Sequence, residues 1–132
     1  MSKNDGRCPN LTLVLVLLGI LASPGAALGQ KLKAAQAKDH VGASATVCGM
    51  VVAANYAART KGEPTYLYLD KAYPNHIFMV VIWGEARPRF GKPEVTYGGK
   101  KICVSGRIQS SRNVPQIVVS EPSQIKLDNP GK

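Results

Sequence analysis

The feature that most constrains the fold is a change of hydrophobic period near residue 45, after which apolar residues recur at every second position in short runs. Side chains of a β-strand alternate between its two faces, so this period is typical of half-buried strands. Polar segments and segments rich in glycine and proline separate the runs, which indicates turns. Five strands are predicted, with approximate bounds 45–56, 64–70, 76–83, 100–109 and 115–120.

The strands differ in ways that predict their places in the sheet. The first contains Gly49, and a glycine inside a strand usually marks a bulge or a bend. The second places Leu67 on one face and both Tyr66 and Tyr68 on the other. The third is apolar on both faces, as expected of a central strand. Segment 84–99 holds two prolines and four glycines, which predicts a loop with at most a short helix.

Together these elements predict an all-β fold. A long first strand bent at a glycine, and an insertion between the third and fourth strands, fit a five-stranded Greek-key barrel of the OB-fold type. In that architecture we expect the first strand to pair with the fourth. The pattern alone leaves open an unrelated small β-barrel or sandwich.

The first thirty residues have a different character. Two basic residues precede an apolar run at 11–22, which is 12 residues long. Spanning a bilayer takes about 20 residues, so the run is too short for that role. A basic start, a short apolar stretch and small residues after it predict a secretory signal peptide over 1–29, with cleavage before Gln30. An uncleaved membrane anchor is the alternative.

The predicted signal peptide sets the organisation of the remaining chain. Residues 30–40 are predicted to be a flexible leader or a short helical turn, residues 41–127 the OB-fold domain and residues 128–132 a polar tail. The mature protein is expected to be secreted or periplasmic, without stable insertion into a membrane.

Two cysteines remain after cleavage, Cys48 and Cys103. In an exported protein an even number favours a disulfide. If Val47 faces the core together with Val104, both cysteines lie on the opposite face of neighbouring antiparallel strands, where a bridge can form. Neither cysteine has another cysteine or a histidine at metal-ligand spacing, so no metal site is predicted.

The charge of the chain narrows the class of partner. The whole sequence carries 17 basic and 8 acidic residues, a net charge of +9. Loss of 1–29 leaves 103 residues with a net charge of +8. Such an excess attracts polyanions such as nucleic acid, anionic lipid or acidic polysaccharide. Solubility is the alternative explanation of the charge.

A family resemblance rests on several segments taken together. They are residues 47–51, 61–62, 65–70, 77–82, 99–108 and 115–119. In these segments the chain resembles the nucleic-acid-binding OB-folds of the tRNA-anticodon and helicase-associated type, and it is similar to short secreted bacterial proteins built from that single domain. The resemblance covers about 41–127 and implies the fold together with a surface for nucleic acid.

Candidate binding residues follow from the expected architecture. OB-folds bind ligands on the face of strands two and three, between the loops that join strands one to two and four to five. On this face Tyr66 and Tyr68 could stack on bases, or could simply pack across strands. The basic residues predicted to contact phosphates, or to form a solvated rim, are Arg59, Lys61, Arg107 and Arg112.

No catalytic pattern is found. His40 and His76 are interpreted as solvated surface residues, and Trp83 and Phe90 as core residues or loop anchors. Segment 98–101 lacks the glycine spacing and the hydroxyl residue of a phosphate-binding loop. We therefore predict a protein that is not an enzyme and has no cofactor.

The predicted function is an exported module that binds single-stranded nucleic acid or another polyanion. The alternative is an envelope interaction domain that binds a protein, a small ligand or a cation. Charge gathered beside the tyrosines would favour the first, and dispersed charge the second.

Overall fold

The computed structural model describes residues 31–128, and the predicted signal peptide lies outside the described residues. The described chain is mostly β, as predicted. Its strands are β1 (Lys31–Lys33), β2 (Ser44–Tyr56), β3 (Thr65–Leu69), β4 (Met79–Ile82), β5 (Lys101–Ser111), β6 (Val114–Val118) and β7 (Ile125–Leu127). Short helices are the 3₁₀ helices Ala34–His40, Arg87–Arg89 and Pro122–Gln124, and α1 (Pro93–Thr96).

Five of the strands form a circuit of pairings. Strand β2 pairs with β3, β3 with β4, β4 with β6, β6 with β5, and β5 again with β2. All these pairs are antiparallel except β4 with β6, which is parallel. The expected pairing of the first predicted strand with the fourth is confirmed by the β2–β5 ladder, which runs from Ser44 opposite Arg107 to Met50 opposite Lys101.

The core lies on the inner side of this circuit. Leu67 and Leu69 of β3 are fully buried, and all four residues of β4 are buried, which confirms its central position. Strand β4 contributes buried side chains to both faces of the sheet. Val80 and Ile82 join the main core, while Met79 and Val81 pack outside it with Tyr68. Phe90, as expected, belongs to the core.

Residues 31–40 form a short strand and a 3₁₀ helix, so of the flexible leader and the short helical turn that the sequence predicts, the structure has the helical turn. Strand β1 runs parallel to β2, and the 3₁₀ helix that follows it buries Ala34 and Ala37. Leu32 is also buried in the main core. The sequence does not reveal this docking, because lysines alternate with a few apolar residues and only those apolar residues enter the core.

The C-terminal region also contains more structure than predicted. Beyond β6, a 3₁₀ helix leads into β7, which pairs antiparallel with β5. The seven strands that result include the five predicted ones and the two short strands β1 and β7, each paired along one edge only within residues 31–128. A three-residue strand leaves too short a period to be recognised in a sequence.

The bend in β2 lies slightly beyond the glycine that suggested it. The register shifts between Val51 and Ala53, whereas Gly49 remains in the regular ladder. A Cβ at Gly49 would lie 3.0 Å from Oδ1 of Asp70. The same Oδ1 accepts a hydrogen bond of 2.8 Å from the Met50 amide. Gly49 therefore makes room for the carboxylate that holds β2 beside the end of β3.

Candidate functional site

An aromatic groove of about 510 Å³ lies on the outer side of β3 and β4. Four rings line it, those of Tyr66, Tyr68, Tyr73 and His76, and Arg112 lines it as well. We call this set of five residues the aromatic groove. It combines flat apolar surfaces with one guanidinium group, which is a suitable chemistry for a ligand that has both rings and negative charge.

Strand β3 positions the first two rings. Alternation directs Tyr66 and Tyr68 outward, opposite the buried leucines, and their ring centroids are 6.2 Å apart. Tyr68 is only 8% exposed and packs against Met79 and Val81. Its burial raises the pKa of the Tyr68 hydroxyl, with further contributions from Tyr66 and Tyr73. Tyr68 thus forms the floor of the groove, while Tyr66 is partly exposed.

The turn between β3 and β4 supplies two rings that the sequence interpretation did not assign to the site. Tyr73 is 70% exposed, and its ring centroid lies 5.4 Å from that of His76. The His76 ring in turn meets Tyr68 edge-on at 5.2 Å. His76 is half-buried, and its Nδ1 is buried with no hydrogen-bond partner among the described residues. The interpretation of His76 as a solvated residue is therefore wrong.

Arg112 owes its position to a tight turn. Arg112 and Asn113 connect β5 to β6, and both have left-handed backbone angles, with φ of 51° and 67°. Positive φ at both central residues is the geometry of a two-residue hairpin turn whose twist suits the flanking strands. This turn lies at the end of the aromatic groove, so the predicted loop does bring a cation to the tyrosines.

The loop that joins β2 to β3 reaches the groove through Thr60. Arg59 and Lys61 stand on either side of Thr60 in the sequence and are exposed. Backbone hydrogen bonds hold the loop, including Ala57 N–H to the Pro64 carbonyl at 2.8 Å. The structure therefore places both predicted loops beside the groove, with Arg59 and Lys61 outside its immediate lining.

Trp83 anchors the same loop. A Cβ on Gly62 would lie 2.9 Å from the Trp83 ring, so only glycine allows this contact, and φ of +83° at Gly62 favours glycine as well. Trp83 is 39% exposed, which agrees with a loop anchor rather than a core residue.

Arg107 does not join the groove, which corrects its assignment to the site. It is exposed and lies opposite Ser44 in the β2–β5 ladder. A strand rises about 3.3 Å per residue, so Arg107 lies roughly 16 Å along the chain from Arg112. The sequence places both residues near the end of one strand, but only Arg112 reaches the turn.

Arg87, a further cation near β3, is engaged elsewhere. Its guanidinium donates to both carboxylate oxygens of Glu94 at 2.8 and 2.9 Å and to the Thr65 hydroxyl at 2.7 Å. It also stacks over the Tyr56 ring at 3.5 Å. The hydrogen bond from Arg87 holds the pKa of Glu94 below its ordinary value, and burial of the carboxylate opposes this in part. The contacts of Arg87 therefore link the β4–β5 connection to the start of β3.

The predicted disulfide is present on a different part of the sheet. Cys48 and Cys103 are direct partners in the β2–β5 ladder and are bonded to each other. Asp128 lies nearby, with a carboxylate oxygen within 4.8 Å of both sulfurs. These three residues could surround a metal only if the sulfurs were reduced, and the expected absence of a metal site stays a prediction. No helix within residues 31–128 has both the length and the apolar character needed to cross a bilayer.

Comparisons with known proteins found partial structural similarities and no match in sequence. No protein-family model matches the sequence, and no curated protein matches it either. Among solved structures, it is similar to a putative aspartyl-tRNA synthetase from Leishmania major Friedlin (TM-score 0.49, 10% identity, 87% of this chain and 23% of that chain). It is also similar to the aspartyl-tRNA synthetase of Entamoeba histolytica (TM-score 0.46, 14% identity, 92% and 28%). The chain spans about a quarter of the length of each, and neither similarity identifies a ligand for it.

Proposed function

We propose that this protein is a non-catalytic binding module of the OB-fold type that holds single-stranded nucleic acid in the aromatic groove. The observation that carries the proposal is the meeting of Tyr66, Tyr73 and His76 with Arg112 in one groove. Stacking on an aromatic ring contributes about 1–3 kcal/mol per base and tolerates every base, because each base has a π-face. The guanidinium supplies the charge that a phosphate requires.

The position of the groove supports this function. The pairing circuit from β2 to β6 fits a five-stranded Greek-key barrel, and in OB-folds the face of strands two and three binds oligonucleotides. Here that face belongs to β3 and β4. Its borders are the loop with Thr60 and the turn with Arg112, which correspond to the two loops that such folds use. A volume of about 510 Å³ lies within the range of about 300–1,000 Å³ typical of ligand pockets.

Single strands suit the groove better than duplexes. Stacked and paired bases hide their faces, whereas the bases of a single strand can turn toward rings such as the exposed Tyr73. With one arginine in its lining, the groove makes few phosphate contacts, so binding should be weak and of low sequence preference. Export belongs to the same proposal. It is supported by the pattern of residues 1–29 and by the Cys48–Cys103 disulfide, a bond typical of oxidising compartments.

The test is a titration of the protein with labelled single-stranded and duplex oligonucleotides, and with heparin as a polyanion lacking bases, at low and physiological salt. Wild type should prefer single strands to duplex. The double variant Tyr66→Ala with Tyr73→Ala should lose at least tenfold in oligonucleotide affinity and keep its heparin affinity. The matched control, Tyr66→Phe with Tyr73→Phe, keeps the rings and should bind as wild type.

Two results would contradict the proposal. Equal oligonucleotide affinity in the folded double-alanine variant would exclude the groove as a stacking site. A wild-type protein that binds no oligonucleotide even at low salt would favour the alternative function, an interaction domain for a protein, small ligand or cation.

A further inference from the structure

Four lysines surround the disulfide on one face of the sheet. Strands β1, β2, β5 and β7 lie side by side, and their registers place Lys33 beside Cys48, Cys48 beside Cys103, and Cys103 beside Lys126. Paired residues of neighbouring strands project to the same side of a sheet, with strands about 4.8 Å apart. The disulfide therefore has a lysine on either side of it in a single row across four strands.

Lys31 and Lys101 belong to the adjacent rows, beside Thr46 and Met50 respectively. We call Lys31, Lys33, Lys101 and Lys126 the lysine face. Within residues 31–128 none of these four ammonium groups forms an ion pair. An open groove of about 590 Å³ lies here, and its lining includes three of the lysines together with Cys48.

The disulfide is accessible from this groove. Both cysteines point to the outer side of the β2–β5 ladder, away from Val47 and Val104, and Cys48 is half-buried and lines the groove. Asp70 and Asp128 also line the groove, and the Asp128 carboxylate lies close to both sulfurs. The four ammonium groups outnumber these two carboxylates, so the face as a whole has a net positive charge, while the Asp128 carboxylate is the charged group found next to the sulfurs.

We propose that Cys48–Cys103 is an exchangeable disulfide whose reaction partners are small thiols that carry carboxylates. A positive surface attracts such anions and raises their local concentration. Ammonium groups on the same face also favour a departing thiolate, so lysines beside a disulfide assist the exchange. The bond is accessible from the groove through Cys48, and accessible disulfides are reduced more readily than fully buried structural ones.

The reaction balances with two thiols as the reductant. The first thiolate attacks one Sγ, the Cys48–Cys103 bond breaks, and the other sulfur leaves as a thiolate while a mixed disulfide forms. The second thiolate attacks the sulfur of the small molecule in the mixed disulfide and releases the second cysteine thiolate. The two small thiols are oxidised to their disulfide, and the protein gains two electrons.

The ladder keeps the reduced cysteines together. Val47 opposite Val104 and Gly49 opposite Ile102 continue the pairing on either side of the bridge. The two sulfurs therefore stay opposite each other after reduction, and an oxidised small thiol can restore the bond by the reverse steps. The lysine face thus supplies both attraction for the partner and a prearranged pair of thiols.

The experiment compares two thiols of opposite charge on the oxidised full chain. Glutathione is anionic and cysteamine is cationic, and reduction is followed by alkylation of free thiols and mass spectrometry. Each rate is divided by the rate on an unstructured disulfide peptide. Wild type should favour glutathione several-fold, and 0.5 M salt should abolish that preference, since salt screens exposed charges. This comparison of the two thiols uses the wild-type protein alone.

A matched pair of substitutions locates the effect. Lys126→Gln should lower the glutathione rate about threefold, as expected for one charge within several ångströms in water, and should not lower the cysteamine rate. Lys92→Gln removes an equal charge from the β4–β5 connection and should leave both rates unchanged. Circular dichroism establishes that each variant is folded. Equal normalised rates for the two thiols, identical behaviour of the two variants, or reduction only in denaturant would each overturn the proposal.

Discussion

The aromatic groove and the lysine face occupy opposite ends of the same two long strands, and their chemistry is entirely different. The groove has four rings and a single arginine, whereas the lysine face has four ammonium groups and a disulfide. The net charge of +9 therefore does not indicate which surface has the geometry for stacking on bases. The total charge governs how strongly a chain attracts polyanions, whereas the positions of the aromatic rings decide which ligands it can bind.

The bends in the long strands explain how two faces arise. Residues Ser44–Met50 of β2 pair with β5 between the strands of the lysine face. Beyond the register shift at Val51/Ala53, the strand pairs with β3, whose tyrosines line the groove. Strand β5 changes partner in the same way near Gly106, where a Cβ would lie 2.7 Å from the Ile117 side chain. Close approach at this glycine lets one strand serve both faces.

The largest expected effect concerns the disulfide. Replacement of both Cys48 and Cys103 by serine should lower the free energy of unfolding by about 4 kcal/mol, because the bridge closes a loop with a sequence separation of 55. Urea denaturation measures this. Oligonucleotide binding of the folded variant should be unchanged, since the groove lies elsewhere. A decrease in the free energy of unfolding below 1 kcal/mol would contradict the stabilising role of the bridge. A loss of oligonucleotide binding would show that the two faces are not independent.

The second prediction separates the floor of the groove from its platform. Tyr68→Ala should lower the free energy of unfolding by about 3 kcal/mol, because the ring is buried against Met79 and Val81. Tyr73→Ala removes an exposed ring and should change stability by no more than about 0.5 kcal/mol. Urea denaturation of both variants tests the distinction. Equal losses would mean that Tyr73 is a packing residue rather than a free surface for stacking.

The third prediction compares the charges of the two faces. Arg112→Ala should flatten the dependence of log K on log salt for single strands by about 0.7, the value of one lost phosphate contact. Arg107→Ala loses the same charge outside the groove and should leave the slope unchanged. The double variant Lys33→Gln with Lys126→Gln should also leave the slope unchanged. If the lysine variant flattens the slope more than Arg112→Ala does, nucleic acid binds on the lysine face instead.

The smallest effect belongs to an ion pair outside both faces. Because Arg87 lowers the pKa of Glu94 in the folded state, the pair stabilises the protein above the ordinary Glu pKa of about 4.5, and this contribution is lost as pH falls through the folded value. Glu94→Gln should cost less than about 1 kcal/mol at pH 7, and this cost should shrink progressively as the pH is lowered below about 4.5, as measured by urea denaturation. Glu121→Gln, in the more exposed pair with Arg89, is the control. A cost that does not fall in acid would contradict this assignment.

Several parts of the fold could be predicted because they depend on local alternation. The parity of Cys48 and Cys103 in their strands places both sulfurs on the outer side, and the structure confirms their pairing. The same rule separates Leu67 from Tyr66 and Tyr68, with Leu67 in the main core and both tyrosines on the outside. Neighbouring residues of a strand necessarily face opposite ways, so no distant contact is needed for this inference.

The candidate site could be predicted only in part. Tyr66, Tyr68 and Arg112 lie together as expected, but Tyr73 and His76 were missed because turn residues have no period that reveals their direction. Arg107 was assigned wrongly, because alternation predicts the face on which a residue lies but not its neighbouring strand, and Arg107 lies opposite Ser44 of β2.

The sequence by itself determined the strand alternation, the all-β class, the inner and outer faces and the partners of the disulfide, because each depends on the pleat of a strand. The tertiary structure alone decided which outer residues meet. It brought Tyr73 and His76 to the tyrosines, docked Leu32 into the core, and set Lys33 and Lys126 on either side of the disulfide. These contacts depend on strand register and turn geometry, which local periodicity does not encode.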